Sequence, residues 1–194
     1  MPFEAMPADT PAQAMGTAVL SLLSKAPAAR TVADPEPQAA VRRLTREAAA
    51  KAAMAAGSLA LPPGPLGWLT LLPELLAVWR IQAQLVADIA GVYGQSHAPN
   101  QSQMLYCLYR HTAAQAVRDL GVRVGQRILI SELTQQGLQK VVGVIGIQLS
   151  SRLLGSGVSR WVPLIGAAGV AAYAWADTRQ VAAAAEALFS PPAS

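Results

Sequence analysis

The stretch LPPGPLGWLTLLPELLAVWRIQAQLVADIAGVYGQ, residues 61–95, limits the fold more than any other part of the chain. Pro62, Pro63 and Pro65 lack a backbone donor and push their predecessors out of the helical region, so no straight helix passes through this opening. From about Leu69 the pattern predicts one long helix, with Pro73 tolerated in its first turn and Gly94 ending it after Tyr93. The run from Ala52 to Pro73 carries no charge, and about 20 apolar residues suffice to cross a bilayer. Proline and glycine turn that run into a kinked or re-entrant insertion, because freed backbone groups must be satisfied by protein or water. Residues 57–80 are therefore expected to form a broken apolar hairpin or wedge entering one leaflet. Trp68, Leu69, Leu72 and Trp79 are its insertion residues, and aromatic side chains of this kind favour the interface.

The long helix also carries Glu74, Arg80, Gln84 and Asp88. At 100° per residue Glu74, Ile81, Gln84 and Asp88 fall on roughly one face, with Arg80 one turn before Gln84. Such a seam faces water, pairs internally with Arg152, Arg160 or Arg179, or holds an ion or polar head group. Burial of an unpaired charge is costly. Lying between Leu85 and Ile89, Asp88 is expected to be at least partly buried and to meet a basic or amide group from the last two helices, Arg179 first. Glu74 and Asp88 lie about 21 Å apart along the helix and form no catalytic dyad with each other.

Around this helix the chain reads as all-α, an Ala/Gly-rich bundle of several helices. Residues 1–36 read as a largely disordered tail, with a short amphipathic helix at 12–26 through Met15, Val19, Leu22 and Leu23 and a Pro-rich linker behind it. The helical domain spans 37–189, and 190–194 is tail. An Ala-rich helix at 38–61 presents Arg42, Arg43, Arg46 and Lys51 along one side of its first half. Further helices are expected at 102–120, at 125–157 as one piece or two, and from Pro163 onwards. QRILI (126–130) has strand propensity but no evident neighbour to pair with.

Charged residues make up 13%, about half the usual share, and the mean hydropathy of +0.32 stands between soluble and polytopic membrane proteins. Net charge is +4. Residues 1–36 set two bases against four acids, which leaves +6 on the remainder, a balance that suits an anionic membrane surface or nucleic acid and equally an ordinary solvated basic face. Arg42, Arg43 and Arg46 are the head-group candidates. Cys107 stands alone, so no internal disulfide is possible, and its stripe with Met104 and Leu108 reads as core. No secretory signal opens the chain. His97 and His111 lack partners at metal spacing, and no nucleophile elbow, P-loop or dinucleotide fingerprint occurs. Tyr106 and Tyr109 near Arg110 lack a nucleic-acid-binding scaffold. No cofactor, metal or nucleic-acid partner is expected.

GVIG (143–146) and IGAAG (165–169) place glycines one turn apart on consecutive helices, and Ala172 and Ala176 continue the second face. Small residues let backbones approach closely. The two helices are expected to form a hairpin around Gly155 and Gly157, in which Gly169→Leu does more damage than Ala184→Leu.

Two blocks, KAAMAAGSLALPPGPLGWLTLLPELLAVWRIQAQLVADIAGVYG and RWVPLIGAAGVAAYAWADTRQVAAAAEALF, resemble the EcsC family of bacterial proteins over roughly residues 40–189. The shared pattern is an Ala-rich helix, a Pro/Gly break, a long helix ending in Ile-Ala-x-x-Tyr-Gly, and a late Gly/Ala-rich helix with Asp before Thr. A related helical domain occurs beside dynamin-like and Era-like GTPases, often with a Pro-Gly-Ala-Asp turn where this chain has PPGPLG. The resemblance implies a mostly helical, membrane-associated bacterial protein, with a membrane transporter or GTPase as partner, and it supplies no catalytic residue.

Three functions follow as expectations. The first is a non-enzymatic accessory protein at the cytoplasmic face of the inner membrane, contacting lipid through the wedge and through Trp161 and Trp175. The second is a soluble helical module that binds a hydrophobic ligand or a protein. The third is an enzyme using Asp88 and Glu74 with a C-terminal partner such as Asp177. Burial of residues 61–95 separates the first two.

Overall fold

In the computed structural model, residues 11–58, 67–110, 121–124, 127–130, 139, 142–147 and 163–191 are described. Helices α1 (Pro11–Ser24), α2 (Pro37–Ser58), α3 (Gly67–Val92), α4 (Gln101–Tyr109) and α5 (Pro163–Phe189), with a helical stretch at 142–147, make the fold all-α.

At the centre stands α3. Val78, Trp79, Gln82, Ala83 and every residue from Leu85 to Val92 are buried, so its sides are covered nearly all the way round. A helix that is apolar on every face has to be buried on every face. Its neighbours are α1, α2, α4 and α5. The most extensive pairing joins α2 to α5, where Ala48, Ala52 and Ala56 recur every fourth residue of α2 and Ala174, Ala182 and Ala185 of α5 are buried. Alanine lets such backbones approach closely and costs little side-chain entropy.

Local chemistry fixes the ends. Gly94 has φ 77°, Gln95 N–H donates to the Ala90 carbonyl at 3.0 Å and Gly94 N–H to that of Gly91 at 2.9 Å, a Schellman motif closing α3. Asn100 and Gln103 exchange side-chain-to-backbone hydrogen bonds of 2.8 and 2.9 Å, a capping box that starts α4.

Several expectations change. Within the segment from residue 27, read as a linker behind the 12–26 helix of a largely disordered tail, residues 28–34 lie against α3, and the α1 residues Val19, Leu22 and Leu23 share one core with Val86, Ile89 and Leu105. Residues 1–10 lie outside the described residues. QRILI does find a neighbour. Residues 121–124 and 127–130 form strands β1 (Gly121–Val124) and β2 (Arg127–Ile130), paired antiparallel with Gly121 opposite Ile130 and Val124 opposite Arg127. The expected helix at 125–157 is therefore interrupted by β2, and of the one at 102–120 only α4, up to Tyr109, lies within the described residues. A four-residue strand is too short for alternation to announce it, and Gly121 reads equally well as a helix stop.

The glycine pairing is also corrected. A methyl group built on Gly143 or Gly169 would meet nothing within 4 Å. The face that α5 turns to α2 and α3 runs through Ala174, Thr178, Val181 and Ala185, and Gly169, Ala172 and Ala176 stay exposed. Gly155 and Gly157 lie outside the described residues. Close approach occurs at Gly91 instead, where an added Cβ would stand 2.6 Å from Thr31 Oγ1, 2.7 Å from the Thr31 carbonyl oxygen and 2.8 Å from Ala29 Cβ.

Gly91→Ala is expected to lower stability by about 1–3 kcal/mol, the usual cost of overpacking. Gly169→Leu should be neutral or slightly stabilising through helix propensity, whereas Ala184→Leu, at a buried position, should cost about 1–3 kcal/mol. Thermal melts of the three variants check the order, which is the reverse of the one the glycine pattern suggests.

Candidate functional site

Asp88 carries the densest polar chemistry among the described residues. Its carboxylate accepts from the Arg30 backbone N–H at 2.8 Å, from Arg30 Nε at 3.2 Å and Nη2 at 2.6 Å, and from Gln84 Nε2 at 2.9 Å. Gln84 Nε2 also donates to the Ala28 carbonyl at 3.0 Å, and Thr31 Oγ1 donates to the Asp88 carbonyl at 2.5 Å. Asp34 N–H reaches the Val92 carbonyl at 3.1 Å. These bonds strap residues 28–34 along the outside of α3.

The partner of Asp88 is thus Arg30, not Arg179, which is exposed. The pair is lopsided: the Asp88 side chain is 3% exposed and that of Arg30 68%. The Asp88 bonds push the Arg30 guanidinium's ionisation further up, so it stays charged. Every acceptor direction of Asp88 is taken by the strap and Gln84, which suits a structural clamp better than an acid or base.

A second polar group lies on the opposite side of α3. Buried Gln82 donates to Asp177 Oδ2 at 2.6 Å and to Thr178 Oγ1 at 3.2 Å, and Thr178 Oγ1 donates to the Ala174 carbonyl at 2.8 Å. Asp177 therefore meets Gln82. Sequence reading missed Gln82, although its place one turn from both Val78 and Val86 marks it as an amide on the buried stripe. At the far end Tyr93 Oη donates to Glu186 Oε1 at 3.3 Å.

The expected insertion residues divide. Trp79 is core: it is buried, and its ring meets Tyr109 edge-on with centroids 5.7 Å apart. Trp175 is half-buried. The side chains of Trp68, Leu69, Leu72 and Glu74, and Trp161 as a whole, lie outside the described residues. Arg42, Arg43, Arg46 and Arg80 are exposed. Arg110 stacks over Tyr106 at 5.3 Å, which gives that pair a structural use. No group of three metal-ligating side chains occurs among the described residues.

Charge is sorted along the bundle axis. Ala52, Ala56, Val78 and Ala174 form one cluster, which puts these parts of α2, α3 and α5 at one level. Within about one turn of that level, towards the strap, each helix has its first charges: Lys51, Arg80, and Asp177 with Arg179. In the other direction α2 from Ala52, α3 back to Gly67 and α5 back to Pro163 carry only Glu74. Met54, Val170 and Tyr173 stand out from this end, 66, 46 and 63% exposed. Among the described residues, Leu75–Val92 is long and apolar enough to cross a membrane, yet 67% of it is buried inside the fold.

Compared with family models, curated proteins and solved structures, the chain gives no match.

Asp88→Ala leaves the Arg30 N–H without its acceptor and the Gln84 amide with the Ala28 carbonyl alone, and is expected to cost about 1–3 kcal/mol. Arg30→Ala should cost less, about 1 kcal/mol or under, because water screens the exposed half of the pair. Asp88→Ala should also speed tryptic cleavage after Lys25 and Arg30, read by mass spectrometry.

Cys107 is fully buried, and burial pushes its thiol far above the usual range, so the reactive thiolate is absent. At mildly alkaline pH a thiol-specific reagent should leave the native protein unmodified and label it stoichiometrically in denaturant.

Proposed function

We propose that this protein is a non-enzymatic helical accessory module of the EcsC type that works at the cytoplasmic face of a bacterial membrane. It enters one leaflet with the uncharged end of the α2–α3–α5 bundle. The observation that carries this reading is that, Glu74 aside, charge begins at a common level on all three helices. A solvated bundle has no physical reason to withhold charge from three helices at one end, whereas lipid penalises charge below the head groups. From that level α3 extends back 13 residues to Gly67 and α5 14 residues to Pro163. Each length is about 20 Å, beyond a single leaflet of roughly 15 Å and short of the full ~30 Å core. Tilt and the adjacent interface accommodate the difference.

The exposed residues agree with this placement. Met54, Val170 and Tyr173 lie on the uncharged end, and Trp175 at the level of Ala174 is placed as an interfacial ring would be. The wedge is shorter than the 57–80 read from the sequence, because Val78 and Trp79 are buried in the bundle. Glu74 is the one charge within the α2, α3 and α5 segments of this end. The EcsC-like blocks supply the bacterial and accessory parts of the reading.

A soluble helical module that binds a protein or an apolar ligand is the second reading. The burial of most of Leu75–Val92 favours it, since that segment needs no lipid to be covered.

Flotation with phosphatidylglycerol-containing vesicles separates the two. The wild-type chain is expected to float and to remain bound at high salt, because apolar burial is not screened. Val170→Asp/Tyr173→Asp should lose about tenfold or more of the bound fraction with little change in melting temperature, both side chains being exposed. A wild-type chain that stays at the bottom of the gradient at every salt concentration would establish the soluble module.

A further inference from the structure

We infer that the groove between α2 and α3 is a binding site for the phosphate of an anionic amphiphile. This rests on the membrane reading only for its biological source, since the groove is formed by the folded chain itself. The cavity measures about 290 Å³, at the lower end of small-molecule sites and suited to a head group rather than a whole lipid. Lys51 lines it from α2 and Arg80 from α3, with Gln84 beside them as a neutral amide. Leu44, Ile81 and Leu85 give it an apolar wall.

The electrostatics favour an anion. Among the described residues neither Lys51 nor Arg80 forms an ion pair. Asp88 also borders the groove, but the Arg30 guanidinium neutralises it, so the remaining balance is two cations against the Glu47 carboxylate. Arg80 faces a second cavity of about 310 Å³ as well, where Lys25 adds a further cation and no carboxylate contributes to the lining. Two cations on separate helices, each free to reorient, match the several acceptor oxygens of a phosphate, for which a guanidinium is the best geometric partner.

Position selects an amphiphile over a simple anion. Lys51 and Arg80 are the charged residues at the boundary of the uncharged end, so a phosphate held between them has apolar surface on one side and charged surface on the other. Acyl chains attached to it would run along α2 towards Met54 and beyond. Arg42, Arg43 and Arg46, the sequence's head-group candidates, start about 7 Å further from that boundary and are less well placed to share the phosphate.

The test uses water-soluble lipids as monomers, which keeps it independent of insertion. Binding of dihexanoyl phosphatidic acid, dihexanoyl phosphatidylcholine and inorganic phosphate to the full chain is measured by calorimetry below the micelle concentration. Phosphatidic acid is expected to bind saturably, at least about tenfold tighter than either of the others. Lys51→Gln/Arg80→Gln should lose that tenfold while keeping the wild-type melting temperature, because both side chains are exposed. Glu47→Gln should tighten binding about twofold or more. Equal affinity for phosphatidylcholine, equal affinity for inorganic phosphate, or a double variant that binds like wild type would each overturn the assignment. A chain that binds the monomers but fails to float with vesicles would retain the site and lose the insertion reading. A chain that floats but does not bind the monomers would do the reverse.

Discussion

A helix apolar on almost every side can exist in water only if something covers each side, and α3 sets that requirement for the whole molecule. Helices α1, α2, α4 and α5 supply most of the cover. Over the Asp88–Val92 turn, residues 28–34 contribute the rest. An extended segment brings unsatisfied backbone groups with it, which is why the contact needs hydrogen bonds as well as apolar area. Asp88 meets that need from the helix side, and Gly91 leaves the room for it. Without a side chain at 91 the Thr31 backbone comes within ordinary contact of α3, and Thr31 Oγ1 then reaches the Asp88 carbonyl.

Much of this was legible in the sequence. The long helix, its glycine stop and the Ala-rich partner come directly from periodicity, proline position and propensity. The stripe of Val19, Leu22 and Leu23 on α1 is also a pattern of period 3.6, and those residues are buried. The neighbours Leu85 and Ile89 pointed to a sheltered Asp88. Its partner was beyond reach, because Arg30 lies 58 residues away in a Pro-containing segment with no periodicity. Backbone-to-side-chain bonds from such a segment leave no sequence signal of their own. Gly143 and Gly169 misled for the opposite reason: small residues at helical spacing are equally compatible with a packed face and a bare one.

The two functional readings divide along the length of the bundle rather than across it. The half of α3 nearer the strap is ordinary protein interior, with the Trp79–Tyr109 ring contact and the Gln82 amide satisfied by Asp177 and Thr178. The other half shares an uncharged end with α2 and α5. A single helix thus serves as core in one half and as part of an apolar end in the other, and whole-helix hydropathy averages the two. For that reason the position of Lys51, Arg80 and Asp177 at one level is more informative than any measure of overall greasiness.

The distance in sequence between the strap and its anchor has a consequence for synthesis. Residues 28–34 emerge from the ribosome long before Asp88, and α5 follows α3 by some 70 residues. At roughly 5–20 residues per second, the strap waits about 3–12 s for its acceptor, and α3 then waits about 4–14 s for α5 to begin. During that interval α3 is complete, with α1, the strap, α2 and then α4 on hand but the Val181–Ala185 face of α5 still missing. The nascent protein therefore passes through a state whose exposed side is the one α5 will close, and its yield in the cell depends on what occupies that side in the meantime.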